Sequence, residues 1–245
     1  MTERPPVRIA LVGMGRMGQA LAALAPARGC EVVAQLDARG MAEGLNVAAL
    51  GGAEVAIEFT TPESAVRNAE RLLDLRCPVV IGTTGWTAGR DRLEAAVVRS
   101  GCAALWSPNF SIGVQLFLAL LEVAAPLVRE TAGFDAHLLE THHAAKQDAP
   151  SGTALAMGER LEAGLGRAVP ITSVRVGSVP GTHELILDAP FEQIRFSHEA
   201  RDRRVFADGA LRAARWLAAG RLPALYTMRD LLGAPGGLRV REGEA

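Results

Sequence analysis

Apolar positions in the first hundred residues come in short runs, separated by stretches in which they recur three or four apart. Val7 to Val12 forms such a run and predicts a buried strand; Gln19 to Ala25, rich in Ala and Leu, opens a helix. Glu31–Leu36 and Glu54–Phe59 predict the next two strands, Pro78–Ile81 a fourth, and Ala103–Trp106 a fifth. Between them lie "TTPESAVRNAERLLDL" and the helix Arg90–Ser100. In the former, Ala65, Ala69, Leu72 and Leu73 share one face, Pro62 lies in the first turn, and Thr60 with Glu63 stands at capping-box spacing. Strands this apolar, alternating with helices, imply a parallel sheet covered on both faces.

The pattern changes after about Ser111. "GVQLFLALLEVAAPLV" predicts an apolar helix, and "FDAHLLET" and "ITSVRVG" predict strands. "THELILDAPFEQIRFSHEA" alternates with period two around an Ala-Pro turn, as an antiparallel pair would. "FADGALRAARWLAAG" is a last helix that Gly220 would stop. The expected architecture is therefore α/β: a Rossmann-type parallel-sheet domain over 1–111 and 204–245, with a smaller α+β domain with a mixed or antiparallel sheet over 112–203.

Composition narrows the function classes. Of 245 residues, 49% are hydrophobic and 22% charged, with a formal net charge of −1, so no excess of positive charge suggests nucleic acid or an anionic membrane. Aromatics at 4% argue against a base-stacking surface. Cys30, Cys77 and Cys102 are widely spaced and odd in number, which favours a reducing cytoplasm over a disulfide framework or zinc site. The segment before the first glycines is too short for a signal peptide or membrane span.

Gly13-Met14-Gly15-Arg16-Met17-Gly18 follows the first strand and precedes the first helix. There, Gly-x-Gly-x-x-Gly lets the backbone approach a pyrophosphate at a helix N-terminus, which predicts a dinucleotide cofactor. Asp37, at the end of the second strand, would take the ribose hydroxyls and favour NADH; Arg16 and Arg39 could pair with the extra phosphate of NADPH, so both cofactors stay open. Gly82-Thr83-Thr84 and Pro108-Asn109-Phe110 follow strands four and five, where such sheets bind ligands.

The densest chemistry is "ETHHAAKQDAPSGTA", Glu140 to Ala154. On extended backbone the consecutive His142 and His143 point to opposite sides, and no cysteine or acidic cluster completes a metal set, so no metal is expected. Lys146, two imidazoles, and Ser151-Gly152-Thr153 at a helix start would suit a small dicarboxylate and a proton transfer to it. This block resembles the signature of the 4-hydroxy-tetrahydrodipicolinate reductase family of the diaminopimelate route to lysine. "GRMG", "EFTTPESA", "GTTGW", "SPNFSIGV", "RVGSVPGTHEL", "SHEARDRRVFADGALRAARWL" and "LYTMRDLL" fall in the family's order. Glu58 stands where the family usually has aspartate, and the first glycine loop is one residue shorter than usual.

The resemblance implies His142 as catalytic histidine and Lys146 as proton-donating lysine. It implies His143, Gly152, Thr153 and Arg203 as substrate contacts, and the three strand-end loops with Asp37 as cofactor contacts. It also implies NADH and NADPH as hydride donors and a homotetramer built through the second domain's sheet. Two alternatives stand beside it: an amino-acid or aspartate dehydrogenase of two-domain form, and a non-catalytic dinucleotide sensor.

Overall fold

The computed structural model describes residues 5–37, 40, 44–131 and 133–233. Arg39, expected to meet the cofactor, lies outside them, as do residues 234–245 of the expected first domain. The chain divides into two compact units, residues 1–110 with 206–245, and residues 111–205.

In unit 1, strands β1 (Val7–Val12), β2 (Cys30–Leu36), β3 (Val55–Glu58), β4 (Val79–Ile81), β5 (Ala104–Trp106) and β10 (Leu225–Tyr226) form one sheet in the order β10-β5-β4-β3-β1-β2. Every pairing is parallel. Helices α1 (Arg16–Leu24), α2 (Pro62–Asp74) and α3 (Arg90–Ser100) connect them. β3 and β4 are buried along their whole length, which explains their apolar runs, with Glu58 the charged residue that ends β3. The apolar face expected of α2 forms: Ala65, Ala69, Leu72 and Leu73 pack with Val79, Ile81 and Leu93 in one core cluster. Its cap is shifted by one residue. Thr61 is the N-cap and its amide donates to Ser64 Oγ at 3.4 Å, because the hydroxyl of Thr60 is taken by Glu58 and Pro62 sets the first helical position.

The two-residue strand β10 is too short to carry a period and was not foreseen, although it returns the chain to the first sheet. Helix α6 (Arg204–Ala218) precedes it, and α7 (Met228–Leu232) follows.

The sheet reverses its strand order between β1 and β3, the place where open α/β sheets leave a crevice at their carboxyl ends. The Gly13–Gly18 loop leaves β1 there, and Phe59 and Thr60 leave β3 beside it.

Unit 2 holds α4 (Ile112–Glu130), β6 (Asp135–His142), α5 (Gly152–Leu165), β7 (Ile171–Arg175), β8 (Thr182–Ala189) and β9 (Glu192–Glu199). The sheet order is β7-β6-β8-β9; β6 pairs parallel with β7 and antiparallel with β8, and β8 pairs antiparallel with β9. Val114, Phe117, Leu121 and Ala125 of α4 and Met157, Leu161 and Leu165 of α5 pack on Ala136, Leu138, Leu185 and Leu187 of the sheet. Replacing any one of these leucines by alanine would cost about 2–5 kcal/mol. Helix α4, 19 residues with a mean hydropathy of 1.7, is long and apolar enough to cross a membrane by those measures alone. In this fold one of its faces is core, and Glu122 pairs with Arg160 at 2.9 Å.

Candidate functional site

The glycines of the first loop have three separate jobs. Gly13 has φ +96°, and a Cβ there would stand 2.0 Å from the carbonyl oxygen of Phe59. A Cβ on Gly18 would meet the Gly13 oxygen at 2.2 Å, so this glycine lets α1 pack against the turn. A Cβ on Gly15 would meet nothing within 4 Å, so that side of the α1 N-terminus is open to a ligand. A cleft of about 330 Å³ is lined by Gly15, Arg16, Met17, Gly82, Thr83 and Thr84, together with Phe59, Thr60 and Pro62. The last three escaped the sequence reading as site residues; "EFTTPESA" placed Phe59 at a strand end and Thr60 and Pro62 at a helix start.

Met14 stands in the same loop without lining this cleft, and exposed Asp37, at the end of β2, accepts from the Gly40 amide at 2.9 Å. Pro108, Asn109 and Phe110 follow β5 but do not line the cleft. Phe110 is buried, its ring 6.0 Å from that of Phe59, so it backs the wall instead of facing a ligand. The Thr83 hydroxyl is buried and accepts from the Thr60 amide at 2.7 Å.

Beneath this cleft Glu58 ends β3, fully buried. Burial raises its pKa, against the hydrogen bonds of Thr60, Thr83 and Asn68. Its second carboxyl oxygen has no partner among the described residues.

The second site is built by register. Alternate residues of a strand share a face, so Ala136, Leu138, Glu140 and His142 of β6 all turn inward. Ala136 and Leu138 join the apolar core, and the same face then becomes polar. Glu140 lies between Ser173 of β7 and His183 of β8, which is opposite His198 of β9; His142 pairs with Arg175 of β7. His142 is buried at the strand end, and the next residue, His143, is half-buried, so adjacency does divide the two imidazoles.

Glu140 is 1% exposed. One of its oxygens accepts from His142 Nδ1, and the other from Arg175 Nη2 at 2.6 Å and from the Ser151 amide at 3.3 Å. Burial would raise its pKa, but the Arg175 hydrogen bond and the charge of His142 outweigh it and hold the carboxyl at about 2. His142 itself is pushed below its ordinary value, first by burial and then by the charges of Lys146 and Arg175, with Glu140 acting in the opposite direction. His183 is driven down to about 4, chiefly by burial, and burial lowers His198 also. The rings of His142 and His183 meet edge to face at 5.2 Å.

Ser151 is the N-cap of α5, accepting from the Ala154 amide at 3.2 Å and lying 3.2 Å from His183 Nε2. Its hydroxyl is buried in these contacts, so Ser151 shapes the helix start and does not present an oxygen to a ligand. Gly152 is exposed with open space around it, and Thr153 follows in the same first turn. Lys146 Nζ contacts both oxygens of Asp148, at 2.7 and 2.9 Å, and the Gly152 amide also bonds to that carboxylate. Asp148 thus rests on the cation and the helix N-terminus that would suit a carboxylate ligand. Arg203 is exposed just before α6.

Glu140, His142 and His183 offer three possible donor atoms within 4.8 Å of one another, a group not visible from the His142–His143 spacing because His183 comes from another strand. The carboxylate is already engaged by Arg175 and His142, and Lys146 adds further positive charge nearby. The set is therefore built as a hydrogen-bonded network. Glu140, Arg175, His183 and His198 were absent from the sequence-based list. Their signal was the inward parity of "HLLETH", "ITSVR", "THELIL" and "IRFSHE".

Residues 7–110 match the family described as "Dihydrodipicolinate reductase, N-terminus", and residues 113–232 match "Dihydrodipicolinate reductase, C-terminus". The 4-hydroxy-tetrahydrodipicolinate reductase of Thiobacillus denitrificans is 39% identical over 268 residues, covering 93% of this chain and 98% of that protein. That of Archaeoglobus fulgidus is 35% identical, covering 92% and 100%. Among solved structures, a dipicolinate-bound dihydrodipicolinate reductase from Paenisporosarcina sp. TG-14 superposes with a TM-score of 0.78 at 22% identity, over 91% of this chain and 97% of that one. The aspartate dehydrogenase of Thermotoga maritima reaches a TM-score of 0.51 at 13% identity, over 88% and 98%, a likeness of fold alone.

Proposed function

The chain belongs to the dihydrodipicolinate reductase family, and from that premise we propose that it reduces 4-hydroxy-tetrahydrodipicolinate, through its dehydrated imine, to tetrahydrodipicolinate. The enzyme is an NAD(P)H-dependent oxidoreductase of lysine biosynthesis, as its relatives are. The observation that carries the substrate assignment is the set on unit 2: His142 on Glu140, with Lys146 and the start of α5 sharing one carboxylate contact at Asp148. A dicarboxylate meets there the cation and amide dipoles that Asp148 now occupies.

When bound, the nicotinamide supplies the hydride, added at C4 of the ring. Gly13 to Gly18, Gly82 to Thr84 and Asp37 hold the cofactor, Gly15 because nothing obstructs its backbone. Exposed Arg16 at the first turn of α1 offers a partner for the phosphate of NADPH, and Asp37 offers ribose contacts that suit NADH; the enzyme accepts both. Lys146, Gly152, Thr153, His143 and Arg203 bind the substrate carboxylates. The charge of Lys146 and the positive end of α5 favour addition of hydride to a dianion. His142 then gives a proton to C3 of the resulting enamine while Lys146 supplies charge.

Three free thiols suit a cytoplasmic enzyme. The sheet of unit 2 has α4 and α5 on one face only, and the other carries Leu139, Val174 and Ile186, which fits self-association into a tetramer through that sheet.

The test is a coupled assay with dihydrodipicolinate synthase, pyruvate and aspartate semialdehyde, run with NADH and with NADPH. Both are consumed by the wild type; His142→Ala and Lys146→Ala each lower turnover by ~10²-fold or more while cofactor binding persists. Cofactor binding with no consumption by the wild type would favour the sensor instead, and wild-type turnover in both variants would remove the assigned roles.

A further inference from the structure

We infer that buried Glu140 and half-buried Arg175 form a positioning pair that fixes the proton of His142 on Nδ1 and leaves Nε2 as the nitrogen that exchanges protons with the substrate. The inference rests on the reductase reading for its link to turnover, and on geometry for everything else.

Glu140 is held by Arg175, the Ser151 amide and His142, with the Ser173 hydroxyl beside it, and each contact constrains the others. Arg175 Nη2 at 2.6 Å and the Ser151 amide at 3.3 Å both donate to the same oxygen, Oε1. That oxygen cannot turn away without leaving two donors behind in a buried place. The remaining oxygen, Oε2, faces His142 Nδ1. Since the carboxylate stays ionised, it only accepts, so the imidazole must donate from Nδ1. Nε2 is directed the other way, to Gly181. A Cβ on Gly181 would come within 2.9 Å of Nε2, so the missing side chain keeps that edge of the ring clear.

Arg175 also reaches beyond the pair. The same Nη2 donates to the backbone oxygen of Asp148 at 2.6 Å, inside the loop that carries Lys146. One guanidinium therefore fastens the carboxylate that orients His142 and the loop that supplies the cation. Neither residue needs to touch substrate to matter. With Nδ1–H held on Glu140, Nε2 takes up a proton from solvent and passes it to C3. The carboxylate stabilises the imidazolium that carries it, whereas a neutral Nε2–H imidazole is a far weaker acid.

The arrangement makes an unusual prediction for Glu140→Gln. A glutamine has a single oxygen, and Arg175 with the Ser151 amide claims it at the Oε1 position. The amide nitrogen is then forced to face His142 Nδ1 and donates to it, which moves the ring proton to Nε2 and opposes the doubly protonated imidazolium.

Long-range ¹H–¹⁵N NMR on protein labelled at its five histidines reads this directly, with His142→Asn identifying the resonance. The wild type should show His142 as the Nδ1–H tautomer, and Glu140→Gln should show Nε2–H. In the coupled assay kcat should fall ~10²-fold, with cofactor affinity held. Should the single variant fail to fold, Glu140→Gln combined with Arg175→Met leaves no unpaired interior charge, and it should still lose at least ~10-fold in kcat. A wild-type His142 already in the Nε2–H form, or a folded Glu140 variant with wild-type kcat, overturns the proposal. If the wild type consumes neither cofactor, the reductase reading falls, while the tautomer measurement still decides the role of Glu140.

Discussion

Glu58 and Glu140 are the same side chain in nearly the same circumstance. Each sits on a strand near its carboxyl end, each lies under a candidate site, and their exposures are 0% and 1%. Their electrostatics are opposite. Glu58 meets only hydroxyls and an amide, and burial lifts its pKa; Glu140 has Arg175 across the strand pair and is held at about 2. Surface exposure is equal in the two places, but Glu58 lies deeper in the protein and has no cation beside it, so depth and neighbours act together. Unit 1 uses a buried acid to organise a neutral turn of threonines under a cleft. Unit 2 uses one as a fixed negative charge amid Arg175, Lys146 and His142.

That contrast can be broken by substitution. Glu140→Gln removes the buried partner of an ion pair whose guanidinium is half-buried, so urea melts should show a loss of about 1–3 kcal/mol. A loss below about 1 kcal/mol would mean that the pair is not closed off from solvent.

The pH dependence sharpens it further, because the two acids have opposite signs. Glu140 has a lowered pKa, so its contribution is present above its ordinary value of 4.5 and is lost as pH falls towards about 2. Glu58 has a raised pKa, so its contribution is present below 4.5 and is lost as pH rises through the folded value. Stability of the wild type relative to Glu140→Gln should therefore grow as pH rises through the acid range, and relative to Glu58→Gln it should shrink. Parallel slopes for the two variants would erase the distinction.

Smaller effects mark the limits of the comparison. Glu58→Gln at neutral pH should change stability by no more than about 1 kcal/mol, in either direction, since it exchanges a carboxyl for a group that keeps the threonine contacts. Asp148→Asn, which breaks an exposed pair with Lys146, should cost less than about 0.5 kcal/mol in the same melts. Its visible effect should be a lower KM for the dicarboxylate, as Lys146 and the Gly152 amide lose an internal competitor; an unchanged or higher KM would show that Asp148 does not compete.

Legibility in the sequence followed the range of the interactions. Val7–Val12 and Arg90–Ser100 have the observed bounds, because a short apolar run and a 3.6-residue stripe are local signals. The glycine loop was equally clear, since its chemistry lies in one hexapeptide. Thr60 was misplaced as a cap because its hydroxyl is drawn to Glu58, a preference set by the buried carboxyl. Leu225–Tyr226 escaped because two residues have no period. Glu140 stood in the quoted motif with no role assigned, and Arg175, His183 and His198 were passed over. They meet only through strand register, and nothing local to any one of them states which residue of the next strand it will face.

One feature of the topology bears on how the molecule is made. The edge partner of β5 is β10, and the whole of unit 2 is synthesised between them. A ribosome adding about 5–20 residues per second leaves the backbone groups of Ala104–Trp106 without their final neighbour for several seconds. During that interval the nascent chain carries an open sheet edge of strongly apolar sequence, a template for pairing with another chain. The rank order of vulnerability in the cell should follow from this delay: slow translation between β5 and β10 exposes the protein to aggregation at a stage when its finished stability offers no protection.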